Sequence, residues 1–318
     1  KVNHSNLCSE ITLPTNEDRT AVCCLSSVNL EKFDEWQDNE YFIPDLIRFL
    51  DNVLTFFIDN APDSLEKAKF SAMRERSIGL GAMGFHAYLQ KKNIAFESMY
   101  AQSTNYTMFR HIKEQAQFET EELAKERGAC PDDKGGTVRN AHLLAIAPNA
   151  SSSIICGNTS PSIEPFRANA FTQKTKTGSS LLKNKYLEQL LEQKSRNTDE
   201  IWKNIITNHG SVQHLDFLNE HEKGVFATAV EIDQRWVIQL AAMRQEFICQ
   251  SQSCNIFFPA DVSKQELHNV HMMAWRKGMK TLYYLRSEAI KRADTVSDKK
   301  LREYIFDYGE EDCLACEG

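Results

Sequence analysis

Hydrophobic side chains recur every three or four positions in several stretches of the chain, which predicts helices that bury one face. The clearest stretch follows Pro44 and runs from Leu46 to Phe57. A longer and more polar stretch, from Ser98 to Arg127, predicts a helix that ends at Gly128, because glycine is favoured just past a helix. Further helices are expected over Asp63–Arg76, Leu181–Lys194 and Ile232–Phe247.

Short apolar runs near the start and middle of the chain predict strands. Two extended segments, Leu7–Leu13 and Ala21–Leu30, are separated by the polar turn Thr15–Asp18, so both belong to one hairpin-like or finger-like unit. A buried strand is expected over Leu143–Ala147, and Pro148 ends it. The Ser-, Asn- and Gly-rich residues Asn149–Pro165 then predict a loop.

The last predicted unit gives the fold class. An apolar strand over Cys254–Phe258 leads to Ser263, which caps a helix that ends at Gly278, and a second strand covers Thr281–Arg286. A strand, a helix and a strand of these lengths form a βαβ unit with parallel pairing. The sequence therefore predicts an α/β fold, with one structured part over 1–291 and a mobile, acidic tail over 292–318.

Composition narrows the function. The 318 residues carry 37 lysines and arginines against 44 acidic residues, a net charge of −7, and no basic stripe suited to nucleic acid. No apolar run is long enough to cross a membrane. Nine cysteines, an odd number without a visible signal peptide, argue against a secreted disulfide scaffold and favour a reducing, cytoplasmic location.

The glycine run Gly79–Gly84 matches the G-x-G-x-x-G pattern of dinucleotide-binding folds. That fingerprint requires a preceding strand, whereas the residues before this run read as a helix. We therefore interpret the glycines as positions of close helix–strand packing.

The segment Asn6–Glu10 places an amide, a thiol and a carboxylate at alternate positions. In an extended chain Asn6, Cys8 and Glu10 would share one face, with Glu10 as a proton acceptor, Asn6 as a hydrogen-bonding anchor and Cys8 as a nucleophile or hydrogen-atom carrier. An ordinary strand of mixed polarity is the alternative that spacing alone leaves open.

Three further motifs are candidates for chemistry. The loop Pro148, Asn149, Ala150, Ser151 and Ser152 offers hydroxyls and backbone N–H groups that could hold a phosphate, or it is an ordinary loop. The adjacent phenols Tyr283 and Tyr284 lie in a predicted strand, where they could equally be packing residues.

The terminal pair Cys313 and Cys316 has the spacing of redox dithiols and of zinc knuckles. Its exposed, acidic surroundings favour a redox dithiol over a zinc site. His268 and His271 share one helix face, but no acidic or cysteine partner lies near them in sequence, so we interpret them as surface or packing residues. No metal site is expected.

Taken together, these motifs resemble one family, the large catalytic subunit of class I ribonucleotide reductase, over the C-terminal half of the family's chain. The resemblance implies the C-terminal half of a ten-stranded α/β barrel with a central finger loop and a flexible tail. It rests on ordered motifs across the chain: Asn6–Glu10, Cys23 before Leu25–Leu30, Arg76–Phe85, Pro148–Ser153 with Ser162–Pro165, Tyr283-Tyr284 and the terminal cysteine pair.

The resemblance also implies a role for each motif. Cys8 would form the thiyl radical that removes the ribose 3′ hydrogen, Glu10 would take the 3′-hydroxyl proton, and Asn6 would bind the sugar hydroxyls. Cys23, preferred over Cys24 from its position before Leu25, would supply reducing equivalents. The remaining motifs would relay the radical (Tyr283, Tyr284), hold the substrate diphosphate (Pro148–Ser152) and re-reduce the active-site disulfide (Cys313, Cys316).

The implied partners follow from the same resemblance. A small subunit with a diiron-tyrosyl radical would generate the radical, thioredoxin or glutaredoxin would reduce the tail, and no cofactor would be bound by this chain itself. The family's N-terminal half, with the other reducing cysteine, does not precede Asn6, so we expect a split subunit or a truncated sequence. The alternative function is a non-catalytic assembly or thiol-redox binding module.

Overall fold

The computed structural model describes residues 1–175 and 178–287, and within them short strands alternate with helices. The tail and its boundary near residue 291 lie outside these residues. The strands are β1 (Cys24–Asn29), β2 (Ile78–Met83), β3 (Ala170–Thr175), β4 (Gly178–Lys183), β5 (Ile256–Phe258) and β6 (Leu285–Ser287). The helices are α1 (Phe33–Trp36), α2 (Phe42–Asn60), α3 (Glu66–Glu75), α4 (Phe85–Lys91), α5 (Met99–Arg127), α6 (Ala150–Ile155), α7 (Lys185–Gln193), α8 (Asp199–Thr207), α9 (Glu220–Val225), α10 (Gln234–Gln245) and α11 (Lys264–Arg276).

The longest helices form where the sequence predicts them. Helix α2 buries one stripe that includes Ile47, Leu50 and Leu54, as its three- and four-residue spacing requires. Helix α5 begins where the Ser98 side chain accepts a hydrogen bond from Ala101 N, and it ends at Gly128, whose φ is 87°. These two helices pack against each other, and α10 packs against α5, so the three cover one side of the main hydrophobic core.

Five backbone segments lie side by side and parallel, in the order of the chain. Strand β1 pairs with β2, and β2 is bridged through Leu80 to Leu144. Ile146 is in turn bridged to Gln252, and β5 pairs with β6 beyond it. The structure thus confirms the α/β class and the parallel βαβ unit, and the predicted strand over Leu143–Ala147 takes part through bridges rather than as a regular strand.

The glycines of β2 let neighbouring backbones approach closely. A Cβ on Gly79 would lie 2.5 Å from Leu25 Cδ2 and 2.9 Å from Cys23 Sγ. A Cβ on Gly81 would lie 2.5 Å from the carbonyl oxygen of Ala145. The crowding therefore comes from neighbouring strand segments, not from a helix as predicted, and the run lies within a strand instead of the strand-to-helix turn of a dinucleotide site.

A buried ionic cluster joins three helices behind this layer. Asp51 of α2 is fully buried and accepts hydrogen bonds from Arg76 Nε at 2.8 Å, Arg127 NH1 at 3.1 Å and Asn140 Nδ2 at 3.1 Å. Arg76 has a φ of 47° and ends α3, while Arg127 ends α5. Breaking such a buried pair typically costs about 3–5 kcal/mol, so this cluster fixes the helix ends to one another.

Several predicted boundaries are wrong for local reasons. Leu181–Lys183 belong to β4, because they pair antiparallel with β3, and α7 begins only after Asn184 caps it. The predicted loop Asn149–Pro165 contains α6. The two strands of the βαβ unit are shorter than predicted and begin at Ile256 and Leu285. In the described part of the chain, no helix is long and apolar enough to cross a membrane.

Candidate active site

The loop that carries Cys8 is a tight turn, not the extended segment predicted over Leu7–Leu13. Ser9 has a φ of 64°, and its N–H donates to the Asn6 carbonyl at 3.2 Å. The Asn6 side chain closes the turn, since its Oδ1 accepts a hydrogen bond from Ile11 N at 3.0 Å. Such side-chain bonding to nearby backbone competes with a strand ladder. The turn still buries Cys8 and Glu10 completely, as the active-site interpretation requires.

Serine and threonine side chains hold this turn, which we call the finger loop (residues 6–11), against the parallel layer. Ser253 Oγ lies 2.5 Å from the Cys8 carbonyl oxygen and 3.0 Å from Glu10 Oε2. Ser251 N donates to the Glu10 carbonyl at 2.8 Å, and Thr281 Oγ1 donates to the Ser9 carbonyl at 2.9 Å. Among the described residues, the buried Glu10 Oε1 has no hydrogen-bond partner, so it can accept a proton or a hydrogen bond from a bound molecule.

The two adjacent tyrosines stack on each other beside Cys8. Their ring centroids are 3.9 Å apart, and the Cys8 thiol donates to Tyr283 Oη at 3.4 Å. Both residues precede β6 and lie outside it, so they do not point to opposite faces as adjacent residues of the predicted strand would. Burial, with hydrogen bonding to Cys8 and Tyr284, raises the pKa of Tyr283 well above its usual value, so its phenol stays protonated.

Cys23 lies at the amino end of β1 and lines a cavity of about 510 Å³ together with Asn6 and Arg19. Burial raises the pKa of the Cys23 thiol to about 12. Cys24, the other candidate, packs against the main hydrophobic core, and burial raises its pKa as well. The cavity therefore brings Asn6 and Cys23 together.

The predicted phosphate loop lies at the carboxyl end of the third parallel segment, after Ala147. Asn149, with a φ of 55°, begins the short helix α6, and its Oδ1 accepts a hydrogen bond from Ser27 Oγ of β1 at 3.1 Å. Ser152 Oγ accepts a hydrogen bond from Asn149 Nδ2 at 3.4 Å. These bonds attach the loop to β1 and not to the finger loop.

The polar run Gln250–Ser253 is a functional feature that the sequence analysis missed. All four residues are completely buried, between the third parallel segment and the finger loop. Ser251 and Ser253 bind the finger loop, and Gln250 Nε2 donates to Cys23 Sγ at 3.3 Å. Four consecutive polar residues just before an apolar strand were the available signal, because buried polar groups need partners.

Two predictions concern the tail and metal ions. Cys313 and Cys316 lie outside the described residues. Over residues 1–175 and 178–287, no group of three or more His, Cys, Asp or Glu side chains is placed to hold a metal ion. His268 and His271 are exposed on α11, as predicted.

Comparisons with known proteins agree with the resemblance. The family model described as ribonucleotide reductase, barrel domain, matches residues 1–136 and 132–285. The ribonucleoside-diphosphate reductase large subunit of Invertebrate iridescent virus 6 is 52% identical over 298 residues, which cover 92% of this chain and 31% of that protein. The ribonucleoside-diphosphate reductase large subunit of Invertebrate iridescent virus 3 is 47% identical over 326 residues, which cover 100% of this chain and 50% of that protein.

A solved structure has the same fold. The alpha subunit of the class Id ribonucleotide reductase of Actinobacillus ureae superposes with a TM-score of 0.85 at 43% sequence identity. The match covers 91% of this chain and 54% of that chain. The chain therefore spans between about a third and about half of the length of these relatives.

Proposed function

The chain belongs to the ribonucleotide reductase barrel-domain family, and we propose that it is the catalytic part of the large subunit of a ribonucleoside-diphosphate reductase. The observation that carries this proposal is the contact of the buried Cys8 thiol with Tyr283, whose ring lies against that of Tyr284. One-electron chemistry at a thiol needs such a neighbour, because a hydrogen atom must move between two atoms in contact. The buried Glu10 is joined to the Cys8 carbonyl through Ser253.

The parallel layer is, in this proposal, half of a ten-stranded barrel, and residues 6–11 are the finger at its centre. Five parallel segments in chain order support half of ten strands. The hydrogen bonds from Ser251 and Thr281 to the loop support its place against the inner side of the layer.

The reaction begins when Tyr283, as a phenoxyl radical, takes the hydrogen atom of the Cys8 thiol. The O–H bond of Tyr283 forms, the S–H bond of Cys8 breaks, and the thiyl radical of Cys8 then takes the 3′ hydrogen atom of the ribose. The radical would originate in a separate small subunit that holds a diiron-tyrosyl radical, and Tyr284 of this chain passes it to Tyr283. The neutral phenol of Tyr283 suits this relay, since it keeps the hydrogen that must be exchanged.

Loss of the 2′-hydroxyl involves the other groups of the site. Glu10 accepts the 3′-hydroxyl proton at its unpartnered oxygen, and Asn6 binds the sugar hydroxyls. The 2′-hydroxyl takes a proton from the pair formed by Cys23 and a second cysteine and leaves as water. That pair supplies two electrons and its remaining proton to the sugar and becomes a disulfide. Cys8 then returns the 3′ hydrogen atom, which regenerates its thiyl radical, and Glu10 returns the 3′-hydroxyl proton. The cavity shared by Asn6 and Cys23 supports their action on one substrate.

The substrate diphosphate is proposed to bind Pro148, Asn149, Ala150, Ser151 and Ser152. Support comes from the place of this loop at the carboxyl end of the parallel segments, where α/β folds bind ligands. Cys313 and Cys316 would re-reduce the active-site disulfide, and thioredoxin or glutaredoxin would reduce that pair in turn. The part of the relatives that this chain does not cover would complete the enzyme.

The proposal is tested by completing the enzyme and changing Cys8. The 318-residue chain is combined with the remaining part of a large subunit and a small subunit, and deoxynucleoside diphosphate formation is measured. Cys8→Ser is expected to lower the rate by at least about three orders of magnitude, since a hydroxyl cannot replace the thiyl radical. Substrate binding should persist.

The matched control is Cys130→Ser, which changes a buried thiol at a turn that is bonded to the end of α3 by the hydrogen bond from Asp132 N to the Arg74 carbonyl. It should keep its activity. Full activity of the Cys8→Ser enzyme would refute the proposal and favour the thiol-redox module.

A further inference from the structure

Gln250 contacts the sulfur of Cys23 with a buried amide. Its Nε2 lies 3.3 Å from Cys23 Sγ and 3.1 Å from the carbonyl oxygen of Ile78, and the side chain is inaccessible to solvent. Both hydrogens of the NH2 group are thus in use, one on the sulfur and one on the backbone of β2.

The Ile78 carbonyl fixes which end of the amide faces the sulfur. A flipped Gln250 would place Oε1 against that carbonyl oxygen, and two acceptors would then face each other without a hydrogen. The backbone of Gln250 is held as well: its N–H donates to the Leu144 carbonyl, and its carbonyl accepts from Gln245 Nε2 and Lys280 Nζ. The donor orientation toward Cys23 is therefore built into the fold.

The other influences on Cys23 oppose its ionisation. Burial is the largest of them and raises its pKa, and the negative forms of Cys24, Cys249 and Glu10 act in the same direction. Of the five strongest influences on the pKa of this thiol, the hydrogen bond from Gln250 is the one that favours the thiolate.

We propose that Gln250 is a positioning residue that stabilises the thiolate of Cys23 through its N–H···S hydrogen bond. The inference rests on the proposed function only for the use of that thiolate. When a dithiol reduces the Cys23 disulfide, the attacking sulfur bonds to the partner sulfur, the S–S bond breaks, and Cys23 leaves with the electron pair. The N–H of Gln250 stabilises that leaving thiolate, and the sulfur later takes up a proton.

The test measures the alkylation of Cys23 by iodoacetamide at pH 8 in the reduced full-length chain, resolved by peptide mass spectrometry. In this reaction the thiolate displaces iodide, so the rate follows the thiolate fraction. Gln250→Met removes the N–H donor, and we expect alkylation of Cys23 to slow about tenfold, the effect of one pKa unit. Gln250→Glu keeps the shape but brings an anion to the sulfur, and should slow it further.

Gln252→Met is the matched control. Gln252 is also completely buried, donates two hydrogen bonds from Nε2, to the Ala241 carbonyl and Gln245 Oε1, and has an unpartnered Oε1. Its bonds reach α10 and not a cysteine, so the variant should alkylate Cys23 at the wild-type rate. The exposed Cys156 serves as an internal reference in every sample.

The direction of the change in alkylation rate distinguishes loss of the Gln250 hydrogen bond from damage to the fold. Loss of structure exposes Cys23 and accelerates its alkylation, whereas loss of the hydrogen bond slows it. An unchanged or faster rate in both Gln250 variants, or equal slowing in Gln252→Met, overturns the inference. The assay does not depend on nucleotide reduction. If the alkylation rates follow the expected pattern but the completed enzyme does not reduce nucleotides, only the proposed function is refuted.

Discussion

The surroundings of Cys8 and of Cys23 differ in the direction of one hydrogen bond. The Cys8 thiol donates to the phenol oxygen of Tyr283 at 3.4 Å. The Cys23 sulfur accepts from the amide of Gln250 at 3.3 Å. The first arrangement keeps a hydrogen on sulfur, directed at the atom with which it would be exchanged. The second hydrogen bond favours the thiolate, although burial outweighs it and raises the pKa of Cys23 to about 12.

The comparison shows that one layer of parallel segments can give two cysteines different hydrogen-bond partners. A thiol that gives up a hydrogen atom must stay protonated, whereas a thiol that takes part in disulfide exchange reacts as the thiolate. The polar run Gln250–Ser253 contributes to both environments, with Gln250 at one end and Ser253 at the other. Gln250 contacts Cys23, whereas Ser251 and Ser253 bond the loop that carries Cys8.

Tyr283→Phe tests the Cys8 environment and is expected to have a large effect on activity. It removes the acceptor of the Cys8 thiol, and we expect nucleotide reduction by the completed enzyme to fall at least about a hundredfold, since the relay is interrupted. Unfolding by urea should show a loss of about 1 kcal/mol or less, the value of one hydrogen bond.

Two further results would sharpen the interpretation of Tyr283. Alkylation of Cys23 should not change in Tyr283→Phe, because the phenol belongs to the other environment. Tyr100→Phe, on an exposed ring of α5, should leave activity intact. Wild-type activity of Tyr283→Phe would remove the tyrosine from the mechanism.

Gly79→Ala should disturb the Cys23 environment alone. The added methyl group would lie 2.5 Å from Leu25 Cδ2 and 2.9 Å from Cys23 Sγ, so the free energy of unfolding should fall by about 1–3 kcal/mol. Urea unfolding measures this loss. Gly224→Ala in α9 is the control, because its methyl group meets only Ala95 at 3.7 Å, and it should be neutral or stabilising. Equal stability of both variants would show that β1 and β2 are not closely packed.

The pH dependence of Cys23 alkylation tests the same environment without a substitution. Because the pKa of Cys23 is raised to about 12, its thiolate fraction should keep rising through pH 10, by about tenfold per pH unit. An ordinary thiol levels off near pH 9, once most of it is ionised. Rates are measured from pH 7 to pH 10 in the wild-type chain, and a plateau near pH 9 would contradict the buried environment described for this thiol.

Sequence patterns predicted the helices and strands whose formation depends on residues close together along the chain. Helix α5 lies between Ser98 and Gly128, as predicted, and the βαβ unit follows from local periodicity and from the Ser263 cap. Leu181–Lys183 were predicted as helix because their partners in β3 come from a different stretch of the chain. Periodicity within one window cannot include such a partner.

The sequence predicted the residues of the candidate site but not the backbone conformation that arranges them. An extended chain would place Cys8 and Glu10 on one face, yet a left-handed Ser9 turns the backbone between them, and both side chains are completely buried. The stacking of Tyr283 on Tyr284 likewise depends on a break before β6 that residue type does not show. Gln250 gave no signal by itself, since its role exists only once Cys23 lies beside it.

The hydroxyl of Ser253 has a single hydrogen but faces two acceptors, the Cys8 carbonyl and Glu10 Oε2. While Glu10 is ionised, the two oxygens compete for that hydrogen. Once Glu10 has gained a proton at Oε1, Oε2 becomes the carbonyl oxygen of a neutral acid and a weaker acceptor, so the serine hydrogen is directed more strongly at the Cys8 carbonyl. The protonation state of the carboxyl group is thereby communicated to the backbone that carries the thiol, and the loop is held most firmly after the proton has arrived.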